Sequence, residues 1–117
     1  MTQNFVLDRA LILDRLGGDE EIFAMMVDLY LQDVDSYVLA LSSALEAADS
    51  VTLSREAHTV KGLLATFSDD AGAETAHTIE IQAKTGDLNG LPALVARLQE
   101  NLQILAVALR SEACSAG

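Results

Sequence analysis

An all-α fold is expected of this sequence, in the form of an antiparallel up-down-up-down four-helix bundle with a short extra N-terminal helix. Three observations lead there. Five segments repeat apolar residues at three- and four-residue intervals, the period of a helix face. The breaks between them are short and rich in glycine, aspartate, asparagine and serine, so long consecutive helices must lie antiparallel. Hydrophobic residues make up 50% of the chain but aromatics only 4%, with one proline. The bulk comes from Ala, Leu and Val, a mixture that favours helices. At 117 residues the chain is expected to be one domain over 1–117, able to bury roughly two-thirds of its extended surface and to fold without staples.

The first helix is expected over about 7–16, stopped by Gly17-Gly18. The second, about 19–48, opens on Asp19-Glu20-Glu21, acids suited to a helix N-terminus. Its inward line is expected to be Ile22, Met26, Leu29, Tyr37, Leu41 and Leu45. Phe23, Val27, Leu31 and Val34 fall off that line and either widen the buried face or meet a partner. Asp49 or Ser50 can cap the third helix, about 50–67, whose stripe is Leu53, Ala57, Val60, Leu64 and Phe67. Ser68-Asp69-Asp70 ends it and offers a cap for the fourth, about 71–85. Gly86, Asn89 and Gly90 form the next turn, and Pro92 enters the first turn of the fifth helix, about 90–112, where its missing N–H is harmless. That helix carries Leu91, Leu94, Leu98, Leu102, Leu105 and Leu109 on one side. The short first helix would cover one end of the bundle.

Composition excludes several functions. A net charge of −11 leaves no basic surface to displace counterions from nucleic acid, and it disfavours an anionic membrane. Cys114 is the single cysteine, so no internal disulfide framework exists. There is no signal-like N-terminus, and no apolar run reaches the ~18 residues of a membrane span. A cytoplasmic location is expected. Glu74-x-x-His77 has the spacing of a carboxylate-bridged metal helix, but Arg55 stands where a second copy beside His58 would need its glutamate. No metal and no cofactor are therefore expected, and no serine or cysteine nucleophile has a supporting base.

The third helix holds the candidate site. At 100° per residue, His58 lies about 140° from the centre of the core stripe and should face solvent. Lys61 and Gly62 flank it one turn on, and Ser54 and Ala65 extend the same face with small side chains. Glycine inside a helix costs about 1 kcal/mol relative to alanine, so Gly62 needs a reason. One reading is steric access for a partner's active site to a phosphoryl group on His58, with the Lys61 ammonium stabilising the phosphoryl oxygens. The other is an inert surface histidine beside a glycine that relieves a tight helix crossing. His77 is followed by Glu80 at i+3, a carboxylate that would repel a phosphoryl group, and has no glycine beside it. It is expected to be a partly exposed helix residue.

Ala57-His58-Thr59-Val60-Lys61-Gly62 resembles the phosphoacceptor motif of histidine phosphotransfer domains. Gly17-Gly18-Asp19-Glu20-Glu21, Asp49, Ile79-Glu80 and Gly86-Asp87-Leu88 resemble further family positions, so the likeness runs from about Leu7 to Leu109. It departs at Ser68-Asp69, where the family often has Gly-Ala, and at Leu63-Leu64, often small and polar. The resemblance implies that His58 is the phosphoacceptor, attacking through Nε2, with Lys61 stabilising the phosphoryl group and Gly62 providing access. It also implies that any Mg²⁺ belongs to a receiver and that the chain neither binds ATP nor phosphorylates itself. Response-regulator receiver domains would be the partners, with a hybrid sensor histidine kinase as a further one, and a monomer would meet them in transient complexes. The alternative from another class is a helical adaptor or dimerisation module, which leaves Lys61 and Gly62 unexplained.

Overall fold

Aspartates start four of the five helices. Asp8 accepts the Leu11 N–H and opens α1, Arg9–Arg15. Asp19 accepts from Glu21 and Ile22 at the head of α2, Glu20–Glu46. Asp49 accepts from Thr52 at the head of α3, Ser50–Thr66, and takes the Thr52 hydroxyl as well, at 2.7 Å. Asp69 accepts from Gly72 at the head of α4, Asp70–Lys84. Each such cap contributes about 1 kcal/mol to its helix. The last helix, α5, spans Leu91–Ala116. This computed structural model describes residues 7–116, with side chains described as far as Glu112. Cys114 lies outside the described side chains. Among the described residues there is no strand, and no helix is long and apolar enough to cross a membrane.

The Asp69 cap explains one glycine. A Cβ at position 72 would lie 2.6 Å from Asp69 Oδ2, so any side chain there would push the capping carboxylate away. Two helix stops work without glycine. Ala48 and Ser68 adopt left-handed backbone, at φ 53° and 64°, a conformation that costs a residue with a Cβ about 1–2 kcal/mol. Ser68 recovers part of this by accepting a 3.1 Å hydrogen bond from Arg15, whereas Ala48 is exposed. Ala48→Gly is therefore expected to raise the unfolding free energy by about 1 kcal/mol, with the cost of glycine's unfolded-state freedom already subtracted. In a thermal melt that is a gain of about 4 °C for a domain of this size. A lowered midpoint would show that the turn is not strained in solution.

α3 packs on α4, α4 on α5, α5 on α2 and α2 on α3, closing a ring of four. The pairings run in opposite senses. Ser54 meets Glu80 while Lys61 meets His77, and Tyr30 meets Leu102 while Gln99 meets Val38. The protein is thus an all-α four-helix bundle with an additional N-terminal helix. α1 covers the end where α2 begins and α3 and α5 finish. Its Ile12 is buried, Arg9 pairs with Glu20 and Glu112, and Arg15 reaches the Ala65 carbonyl at 3.2 Å.

The α3 stripe is buried from Leu53 to Phe67, as its periodicity demands. α2 differs from expectation. Phe23, Val27, Tyr30, Val34, Leu41 and Ala44 face the core, while Ile22 and Leu29 are 40% and 52% exposed. The reason is that α2 is apolar around most of its circumference, so periodicity alone does not select a face. Packing selects it: Tyr30 sets its ring edge against Phe67, centroids 5.6 Å apart, and donates its hydroxyl to the Leu102 carbonyl at 2.8 Å. That rotation turns Phe23, Val27 and Val34 inward and leaves Ile22, Met25 and Leu29 outside.

Candidate functional site

Because Leu53, Ala57, Val60 and Leu64 fill the interior, His58 is left on the outer flank of α3, its side chain 67% exposed. Ser54, one turn earlier, does not continue that open face as expected. It is buried, and its hydroxyl donates to the Glu80 carbonyl at 3.0 Å. Ala65 does remain exposed. The Ser54 hydrogen bond ties the α4 backbone at Glu80 against α3, one turn below His58.

Glu80 is the centre of the arrangement. Its side chain is only 7% exposed, with Oε2 2.9 Å from His58 Nδ1 and Oε1 2.7 Å from Lys61 Nζ. Lys84 Nζ lies 3.5 Å from Oε2 and His77 Nδ1 3.9 Å from Oε1. Positions 77, 80 and 84 share one side of α4, three and four residues apart. The hydrogen bond from Lys61 foremost, with that of His58 added, holds the carboxyl at about pKa 2 against the desolvation that opposes it. Glu80 is therefore ionised at neutral pH and can only accept hydrogen bonds. Its neighbour His58 Nδ1 must supply the proton, and a neutral imidazole then carries its lone pair on Nε2, on the ring edge away from Glu80.

The linkage has a defined sign. A depressed carboxyl contributes stability that is complete above the ordinary value of 4.5 and is lost as pH falls through about 2.

Lys61 is less free than its sequence position implies. Its side chain is 28% exposed, and the ammonium already serves Glu80, with His77 Nδ1 3.4 Å away. Gly62 is exposed, and a Cβ added there would meet nothing within 4 Å. Among the described residues, no tight helix crossing explains this glycine. Toward α2, the surface next to Gly62 opens into a groove of about 260 Å³, lined by Met26, Leu29, Tyr37, Leu63 and Thr66.

The structure thus gathers His58, Lys61 and Gly62 on one face and adds Glu80, which the sequence marks as part of the family resemblance at Ile79-Glu80 and as an unfavourable neighbour of His77, but not as a partner of His58. A signal was present. Glu80 follows Ala76 and Ile79 and precedes Ala83, the buried line of α4, so it sits at the edge of the core rather than on an outer face. His77 is 55% exposed at the margin of the cluster. Among the described residues no three histidine, cysteine or acidic side chains converge as a metal site.

A family model, the Hpt domain, matches residues 25–108. The crystal structure of histidine-containing phosphotransfer protein B (HptB) from Pseudomonas aeruginosa PAO1 superposes with a TM-score of 0.82, at 23% identity, over 94% of this chain and 96% of that one. That likeness is one of fold. No curated protein matches the chain.

Proposed function

This chain belongs to the Hpt domain family, and from that premise we propose that it relays a phosphoryl group between receiver-domain aspartates through His58. The observation that carries the reading is a solvent-facing imidazole whose Nδ1 is held at 2.9 Å by a buried, ionised carboxylate. With the proton on Nδ1, Nε2 carries the free lone pair and is the nucleophilic atom of the ring. Its lone pair forms an N–P bond as the P–O bond to the donor aspartate breaks, and the aspartate leaves as a carboxylate. No proton has to move. The positive charge that arises on the ring is shared with Glu80, so the product is stabilised by a group already in position. Return of the phosphoryl group to a second receiver is the reverse of the same step.

Lys61 has three N–H donors, and Glu80 and His77 account for two. The third can meet a phosphoryl oxygen on His58. Gly62 keeps the approach clear. Receiver domains are the proposed partners, with a hybrid sensor histidine kinase upstream, and the complexes must be transient because one face serves both donor and acceptor. The docking surface proposed here is Gly62, Ala65 and the groove toward α2, with exposed Ile22, Met25 and Leu29 beyond it. This replaces Phe23, Val27 and Val34 as candidate contacts, since those side chains are buried. An unphosphorylated receiver should shift amides of α3 around Gly62 together with the first turns of α2 in an NMR titration. Shifts confined to α5 would instead favour an adaptor.

The direct test is incubation with a receiver carrying a labelled phosphoryl group. Label should appear on this chain in a form that acid removes and base does not. Glu80→Gln should slow that transfer by about tenfold or more, because the amide cannot hold the tautomer with a full charge. It should also increase the Nε2–H tautomer of His58 in ¹⁵N spectra. Native transfer with an unchanged tautomer would remove Glu80 from the mechanism.

A further inference from the structure

Resting on the phosphorelay reading, we propose that the groove between the first half of α3 and the end of α4 is a second docking edge, which receives an anionic loop of the receiver between Arg55 and Lys84. The chain carries 18 acidic and 7 basic side chains, and the partner's reacting group, an aspartyl phosphate, is itself an anion. Without local compensation the two would repel on approach. Three of the seven cations, Arg55, Lys61 and Lys84, nevertheless lie around His58. Arg9 and Arg15, by contrast, are engaged in holding α1 to the bundle.

Lys61 is committed to Glu80 at 2.7 Å. Arg55 and Lys84 are the more available pair: Arg55 is exposed and Lys84 has a side chain 61% exposed. Together with His58 and Glu80 they line a groove of about 470 Å³ whose apolar wall is Val51 and Ala83. Val51, Arg55 and His58 follow one another at four and three residues, so one strip of α3 presents an apolar group, a cation and the imidazole in order. Val51 is 67% exposed, whereas the other valine of α3, Val60, is fully buried. A partner loop that covers Val51 and brings a carboxylate to Arg55 and Lys84 satisfies both the apolar and the charged part of this strip. Such charges at a rim act on encounter and register more than on the chemical step, and salt screens them.

The test uses the whole chain and a phosphorylated receiver, with transfer rate followed against receiver concentration at low and high salt. Arg55→Glu should raise KM about three- to tenfold while the rate at saturating receiver is kept, and it should flatten the rise of KM with salt. Arg55→Gln should fall between, and Val51→Ser added to Arg55→Glu should raise KM further. If KM and its salt dependence stay native in Arg55→Glu while the wild-type chain accepts phosphoryl groups, this edge is wrong and the relay reading stands. A fall in the saturating rate with KM unchanged also overturns the edge, since the residue would then act on chemistry. Absence of label on the wild-type chain takes down both.

Discussion

His58→Gln is expected to abolish phosphoryl acceptance from a receiver while leaving the fold and receiver binding intact. The expectation follows from where the residue sits. Its side chain is 67% exposed on the flank of α3 and fills no part of the core, so its removal opens no cavity. Glutamine is a better helix former than histidine and can keep a hydrogen bond toward Glu80 or Lys61. It has no nucleophilic nitrogen, because the amide lone pair is delocalised into the carbonyl. The label should therefore fall to background, not to a fraction of the native level, and His77 should not substitute. His77 lacks the buried carboxylate at hydrogen-bond distance that orients His58: its Nδ1 is 3.9 Å from Glu80. The experiment compares acid-labile label, thermal midpoint and receiver-induced NMR shifts in the two proteins. Label retained by the variant would remove His58 as the acceptor. Lost label together with lost binding would place His58 in docking instead.

Gly62→Gln should produce the second largest effect, and in a combination that separates function from stability. Glutamine in place of glycine within a helix is expected to stabilise α3 by somewhat under 1 kcal/mol. Nothing in the chain opposes it, since a Cβ at this position meets nothing within 4 Å. The Tm should thus rise. Transfer should nonetheless fall by about a hundredfold, because a long side chain one turn from His58 keeps the donor's phosphorus out of line with Nε2, and catalysis of this kind depends on approach geometry. Gly62→Ala is the graded control, expected to stabilise similarly with a much smaller loss of transfer. A Gly62→Gln protein that melts higher and transfers at the native rate would leave this glycine without a functional explanation.

Helix positions, turn chemistry and the outward direction of His58 were legible in the sequence because each is set by residues close together in the chain. The stripe of Leu53, Ala57, Val60 and Leu64 determines by itself which way His58, Lys61 and Gly62 point, and the aspartate caps and Gly17-Gly18 mark helix ends locally. The face of α2 was not legible. With apolar residues at Ile22, Phe23, Met25, Met26, Val27 and Leu29 in succession, the local pattern is compatible with several rotations, and the contact of Tyr30 with Phe67 and Leu102 selects one. Glu80 was hidden for a related reason. Its partner His58 is 22 residues away, and the meeting of the two depends on the register of α4 against α3, held by the Ser54 hydrogen bond to the Glu80 carbonyl. Periodicity reports angles around a single helix axis and carries no information about the register of its neighbour. The sequence by itself thus determined that an imidazole would face solvent beside a cation and a glycine. Only the tertiary structure supplies the physical reason why Nε2, the atom the resemblance implied, is the free nitrogen: a carboxylate delivered by another helix takes Nδ1.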